Sequence, residues 1–198
     1  MNKAALMVVV TALAATTACK QAEPAKTEAK TAAKADTVAP LKIGDTAPSF
    51  KTQGALGGKP FEVDLAAELK KGPLVLYFFP KVFTPGCTAE AHEFAEKTAD
   101  FAKLGANVIG LSADNIEGLS KFSKEECRDK FAVARATPEI IKAYGVQLPN
   151  NEMASRTSFV IGKDGRIAFV HSEMDYKDHV KLTYAAVEKL AGAAKAAS

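Results

Sequence analysis

Cysteine and histidine are scarce in this chain, three of each in 198 residues, and the few present do not make a metal site. His92, His171 and His179 stand at spacings that match no ligand set, even with Cys87 counted among them, so no metal is expected. Glycine is present, but nowhere as a phosphate-cradling loop or dinucleotide fingerprint, and no cofactor is expected. The net charge of +3 includes no strongly basic block, which speaks against nucleic acid as a partner. The apolar run at residues 4–15 is too short to span a bilayer.

That run does fit a secretion signal. Asn2 and Lys3 supply a short polar, charged start, and the run ends in TTAC, small residues followed by Cys19. The pattern resembles a bacterial lipobox. It implies a signal peptide over 1–18, lipid on Cys19, and a membrane-anchored protein on the periplasmic face of the cell envelope. The alternative is ordinary signal cleavage, with Cys19 lost or left free and the protein released to the periplasm. Through residue 40 the chain is an Ala/Lys/Thr/Glu tract with no aromatic and no large aliphatic residue except Val38. Such a composition buries too little to offset its ordering entropy, so 19–40 is expected to be a flexible tether.

A composition that is 47% hydrophobic supplies one domain with an ordinary core, placed at 41–192 with 193–198 as a tail. IGDTAPSFKTQ and KPFEVDL form an N-terminal hairpin around Gly57 and Gly58. PLVLYFF, almost continuously apolar, suits a central strand covered on both faces. The helix after it carries apolar or small residues at Cys87, Ala91, Phe94, Ala95, Thr98, Phe101 and Ala102, one helical stripe. NVIGLSA is a second buried strand, and Asp114 is placed to cap a helix running to about Cys127. FAVARA is a short strand, PEIIKAYG a short helix ended by Gly145, and TSFVI and RIAFVH a hairpin around Lys163, Asp164 and Gly165. Val180, Tyr184, Val187 and Leu190 mark the last helix. His92 and His179 fall on amphipathic helices and are expected at the surface. Alternating strands and helices with one antiparallel hairpin give an α/β fold, a mixed sheet flanked by helices, in an order that resembles a thioredoxin-like domain with an N-terminal β-hairpin extension.

The segment PKVFTPGC at residues 80–87 concentrates the chemistry. Thr84 stands at an N-cap position and Pro85 at the first helical position, where its missing N–H costs nothing. Cys87 is then the third helical residue, beside unpaired backbone donors and the positive end of a helix dipole, a setting that favours thiolate.

The segment resembles the Pro-x-x-x-Thr-x-x-Cys motif of the peroxiredoxins, and YFFPKVFTPGCTAEAHEF is most similar to the bacterioferritin-comigratory, or Q-type, subgroup. LSAD, IIKAYGV and SRTSFVIGKDGRI extend the resemblance across the whole expected domain. It implies a thiol-dependent peroxidase acting on hydrogen peroxide and small organic hydroperoxides. Cys87 is the peroxidatic nucleophile in that case. Thr84 and the Cys87 N–H hold the reactants in line, Arg156 aims its guanidinium at sulfur and peroxide oxygens, Pro80 shields the site, and Glu90 orients Arg156. Arg128 and Arg135 lie outside the motif. Taken singly, each residue also has a plainer role: a small buried hydrophobe, a cap, a strand terminator, a surface charge.

The resulting sulfenic acid needs a thiol partner. The Q-type pattern usually places one five residues on, where this chain has His92. The remaining domain thiol is Cys127, 40 positions after Cys87, at a place that another branch of the subgroup uses. Cys127 is therefore expected to resolve Cys87, which requires the first turn of the Cys87 helix to unwind. A buried structural thiol, a permanent Cys87–Cys127 disulfide, or direct reduction by an external thiol are the alternatives. The reductant implied is a thioredoxin-like protein or an envelope thiol relay. Two rival functions weigh less on the same fold. A thioredoxin-type thiol–disulfide oxidoreductase needs a second cysteine where Glu90 stands, and a copper-binding module needs one where Ala91 stands.

Overall fold

The computed structural model describes residues 39–196. The expected signal peptide, Cys19 and nearly all of the tether therefore lie outside the described residues. In chain order the elements are β1 (Lys51–Leu56), β2 (Lys59–Asp64), α1 (Leu65–Lys71), β3 (Leu74–Phe78), α2 (Pro85–Lys103), β4 (Asn107–Ser112), α3 (Ile116–Glu125), β5 (Ala132–Arg135), α4 (Pro138–Ala143), β6 (Thr157–Ile161), β7 (Ile167–Ser172) and α5 (His179–Ala196). The strands form one seven-stranded sheet in the order β2-β1-β5-β4-β3-β6-β7. The hairpin of β1 and β2 is an edge of that sheet rather than a separate unit, because β1 pairs antiparallel with β5.

β3 runs through the interior of the sheet, parallel to β4 and antiparallel to β6. All five of its residues are buried, and its period-two alternation divides them between two apolar layers. Leu74, Leu76 and Phe78 pack with Leu65 of α1 and with Ile140 and Ile141 of α4. Val75 and Tyr77, with Phe79 just beyond, pack with α2, α3 and α5. The second layer holds the chemistry. Tyr77 stacks on Phe94 at 4.3 Å between ring centroids and on Phe79 at 5.5 Å. Its ring crosses β4 where Gly110 stands, since a Cβ there would meet the Tyr77 ring at 2.7 Å.

Four local differences from expectation stand out, three of them with a cause in the contacts. The segment LAAELKK forms α1, which the apolar pattern did not reveal. Asp64 caps it, accepting from the Ala66 N–H at 2.9 Å. Asn115, not Asp114, caps α3, accepting from the Gly118 N–H at 2.8 Å, while Asp114 is occupied by the Ser112 hydroxyl and the Val82 N–H. His179, expected at the surface, is fully buried, because its ring nitrogens find Ser158 and the Glu173 carbonyl inside the fold. The last helix runs to Ala196, beyond the position where the sequence pattern ended the domain.

Candidate active site

The strand-to-helix turn after β3 delivers Cys87 into the site. Thr84 is the N-cap of α2 and has the extended backbone of such a residue, with Pro85 next. Its hydroxyl makes no cap bond and donates instead to the Lys81 carbonyl at 3.1 Å, which closes the turn beneath Cys87. The first helical bond runs from the Thr88 N–H to the Thr84 carbonyl at 2.9 Å. The Cys87 N–H is thus among the first-turn donors that helix geometry leaves over. Pro80 lies two residues past the end of β3, half-buried at the start of the turn.

The turn is fastened at two more points. Val82 N–H donates to Asp114 at 2.9 Å, tying the turn to the end of β4. Phe83 has a left-handed backbone, φ 58°, which is strained for a bulky side chain. Its ring meets Phe122 of α3 edge-on at 5.3 Å.

Arg156, one residue before β6, closes the site from the opposite strand. Its Nη2 donates to Cys87 Sγ at 3.5 Å, its Nε donates to the Met174 carbonyl at 2.9 Å, and its Nη1 donates to Glu90 Oε2. All three groups of this triad are buried: Cys87 is 2% exposed, Arg156 5% and Glu90 0%. Burial opposes the charge of the guanidinium, but Glu90 and Cys87 more than offset that and raise Arg156 above its ordinary range. For Glu90 the balance goes the other way. Burial pushes its carboxyl up to about 8, despite the attraction of Arg156.

The structure therefore brings Cys87, Arg156 and Glu90 into direct contact, with Thr84 and Pro80 in the turn that holds Cys87. Cys127 stands apart. It is a free, fully buried thiol in the same apolar layer as Cys87. Its N–H donates to the Phe122 carbonyl at 3.0 Å just past the end of α3. Burial, and then the Glu126 charge, push its thiol well above the ordinary range. Two consecutive left-handed residues, Arg128 (φ 52°) and Asp129 (φ 59°), follow it. His92, in the position of the missing local thiol, pairs with Glu126 beside Cys127 at 2.7 Å. Arg128 meets Glu96 and Arg135 is exposed, so neither joins the site. Among the described residues no group of three or more His, Cys, Asp or Glu side chains is arranged to hold a metal. Sequence reasoning missed the segment before α5, whose Met174 carbonyl fixes the Arg156 fork. It also missed His179, which lies 3.7 Å from Glu90. A polar residue one turn from Cys87 on an otherwise apolar stripe was the available signal for a buried partner.

A thioredoxin-like sheet with a lone cysteine in the first turn of a helix, gripped by an arginine from a neighbouring strand, defines a single-thiol redox site. The AhpC/TSA family profile matches residues 43–170. Peroxiredoxin Bcp of Bacillus subtilis (strain 168) is 33% identical over 149 residues, covering 71% of this chain and 90% of that protein. Peroxiredoxin Bcp of Escherichia coli (strain K12) is 30% identical over 146 residues, covering 71% and 91%. Among solved structures, peroxidoxin BcpB from Mycobacterium tuberculosis aligns with a TM-score of 0.68 at 29% identity, over 75% of this chain and 97% of that one. The reduced 2-Cys peroxiredoxin of Plasmodium vivax shares the fold, with a TM-score of 0.70 at 20% identity over 78% and 99%. The chain belongs to the AhpC/TSA family, as a peroxiredoxin of the Bcp type.

Proposed function

We propose that Cys87 is the thiolate with which this chain, a thiol-dependent peroxidase by family, reduces hydrogen peroxide and small organic hydroperoxides. The observation that carries the assignment is the 3.5 Å contact between Arg156 Nη2 and Cys87 Sγ. It places a fixed cation beside the only cysteine in a helix first turn among the described residues. The thiolate attacks one peroxide oxygen, an S–O bond forms and the O–O bond breaks. The other oxygen leaves as hydroxide and is protonated to water, or to an alcohol from an organic peroxide. Arg156 bears on the negative charge shared between the two oxygens, and Glu90 fixes the direction of its fork. Thr84 and the Cys87 N–H hold the reactants in line, and Pro80 covers the turn.

Cys127 then attacks the sulfenic sulfur, giving a Cys87–Cys127 disulfide and water, and an external dithiol reduces it. Both thiols are buried and neither is in a disulfide, so this step needs the first turn of α2 to unwind. The strained φ values at Phe83, Arg128 and Asp129 favour release of both segments. Reduced protein mixed with a small excess of hydrogen peroxide tests the whole sequence, with thiol loss and intact mass followed in time and Cys87→Ser as control. Fast, Cys87-dependent oxidation that ends in a disulfide supports it. Oxidation no faster than that of a free thiol overturns it.

The address belongs to the same proposal. A signal peptide over 1–18, lipid on Cys19 and a tether to residue 40 place a domain starting at 41 on the periplasmic side of a bacterial membrane, supplied with electrons by a thioredoxin-like protein or thiol relay there. The support is the sequence pattern ending in TTAC. Mass analysis of the mature chain, with Cys19→Ala as control, tests it: a lipid increment on Cys19 is expected, and its absence overturns the anchor.

A further inference from the structure

Behind the Cys87–Arg156 pair lies a buried polar contact that the reaction above leaves unused. Glu90 and His179 are both fully buried, and Glu90 Oε1 lies 3.7 Å from His179 Nδ1. The partners around this gap fix where the hydrogens are. His179 Nε2 is 2.9 Å from the Glu173 carbonyl oxygen, which can only accept, so that nitrogen carries a hydrogen. In the neutral ring Nδ1 is then bare, and it accepts from the Ser158 hydroxyl at 2.8 Å. Glu90 Oε2 accepts from Arg156, whereas Oε1 has no hydrogen-bond partner among the described residues. Glu90 Oε1 thus has no donor among the described residues and faces a ring nitrogen whose single lone pair already accepts from Ser158. A buried acceptor left in that state is unfavourable, and one proton in the gap relieves it.

We propose that the gap between Glu90 and His179 holds the proton that leaves Cys87 when its thiolate forms, so that His179 is a positioning residue for the peroxide reaction, acting through Glu90. The proposal rests on the assignment of Cys87 as the peroxidatic thiol. Charge balance argues for it. With the thiol protonated, the charges of Arg156 and ionised Glu90 cancel. Ionising Cys87 without compensation adds a net negative charge to a site that water scarcely reaches, which is costly. Placing the proton on Glu90 Oε1 keeps the buried cluster neutral and leaves Arg156 as the cation of the thiolate. An S–H bond is broken and an O–H bond formed, with no change of oxidation state.

The same proton closes the reaction. When the thiolate attacks, the S–O bond forms, the O–O bond breaks and hydroxide departs. The proton stored at Glu90 converts that hydroxide to water and returns Glu90 to carboxylate. The sum is thiol plus peroxide giving sulfenic acid plus water. The charged and titratable groups that face the pair are Arg156 at the head of β6, Cys87 and Glu93 on α2, His171 on β7 with its ring 4.6 Å from that of His179, Asp175 before α5, and Tyr77 on β3. Burial is the first cause of shift for both members. It pushes the Glu90 carboxyl up to about 8 and the His179 imidazole down to about 4. Both shifts favour a neutral acid beside a neutral ring.

Infrared spectroscopy of the reduced full-length protein at neutral pH tests the proposal. A protonated-carboxyl stretch is expected that disappears in Glu90→Gln, in Cys87→Ser and on stoichiometric oxidation of Cys87. In His179→Gln the band is expected to be lost and the acid limb of the Cys87 oxidation rate to move by about one pH unit, which is roughly a tenfold change in rate on that limb. A loss of packing alone does not move a pH limb. The near-isosteric Cys87→Ser comparison leaves His179 in place, so it decides even where His179→Gln fails to fold. Fast Cys87 oxidation with no such band, or a band that survives unchanged in Cys87→Ser, overturns the proton store and leaves the peroxidase assignment standing. Slow oxidation of the wild-type thiol overturns the assignment itself, and the store with it.

Discussion

Arg156 Nη2 lies 3.5 Å from Cys87 Sγ, joining two residues 69 positions apart in sequence. Three carbon-bound nitrogens of one planar group are each committed: one to sulfur, one to the Glu90 carboxylate and one to the Met174 carbonyl. Three of its five N–H groups are used, so the fork is held, and under the proposed assignment the remaining two are what meets a peroxide oxygen. A lysine supplies the charge without the fork. Arg156→Lys is expected to slow Cys87 oxidation by about 10²-fold, the scale of removing one preorganised donor, as measured by single-turnover competition for hydrogen peroxide. A loss of less than about threefold, a small fraction of that scale, counts against the role of the fork.

Cys127→Ser is expected to separate the two halves of the cycle. The first peroxide is reduced at the wild-type rate, because Cys127 touches neither Cys87 nor Arg156 by any bond in the reduced fold. Multiple turnover with a dithiol donor is then lost, and with excess peroxide the intact mass shows further oxidation of Cys87 instead of a disulfide. Unchanged multiple turnover would sink the resolving role.

Asp114 is the anchor between the end of β4 and the active-site turn, accepting from the Val82 N–H and the Ser112 hydroxyl. Asp114→Ala removes both bonds and leaves Ser112 buried. A loss of about 1–2 kcal/mol of stability is expected, typical of hydrogen bonds to a charged acceptor, together with slower Cys87 oxidation as the turn loosens. Urea unfolding and single-turnover rates, read on the same variant, check both.

Most of the frame was legible because it rests on local pattern. The apolar run of β3, the stripe on α2, and the glycine turns at Gly57, Gly58 and Gly165 each follow from period or backbone freedom within a few residues. The Cys87 turn was legible for the same reason, since Thr84, Pro85 and Cys87 are neighbours whose positions a helix start dictates. Contacts made across the sheet were not. The Met174 carbonyl reaches Arg156 from a segment without periodicity, and no side-chain signal marks a backbone acceptor. His179 sits at a helix start that the pattern assigns to the surface, and only the assembled fold brings Ser158 and Glu173 to its two nitrogens. The helix α1 escaped because a seven-residue amphipathic segment next to a strand carries too few turns to show its period.

His179 makes stability depend on pH. It is pushed down to about 4 against an ordinary 6.5, so the unfolded state holds more protons in that window and stability rises with pH through it. The raised Glu90 carboxyl adds no second slope when its proton comes from Cys87, because folded and unfolded chains then hold one proton between the two groups. Urea midpoints between pH 4 and pH 8 check this: a rise up to 6.5 and then a level curve are expected. A steady fall from 6.5 to 8 would mean that the folded chain holds an extra proton at Glu90 that Cys87 did not supply.

Gly86→Ala separates stability from activity. Gly86 is the second residue of α2, and a Cβ there would lie 3.3 Å from Arg156 Nη2 and 3.8 Å from the Tyr176 ring. Alanine lowers the conformational freedom of the unfolded chain and favours helix by up to about 1 kcal/mol. The added methyl also presses on the nitrogen that holds Cys87 Sγ, and Arg156 has its other two nitrogens bonded, so the yielding motion opens the sulfur contact. Wild-type or greater resistance to urea is expected, with Cys87 oxidation slowed by about tenfold, or about 1.4 kcal/mol of transition-state stabilisation. Equal rates for Gly86→Ala and wild type would mean that the guanidinium shifts without loss, and that the 3.5 Å contact does not set the rate.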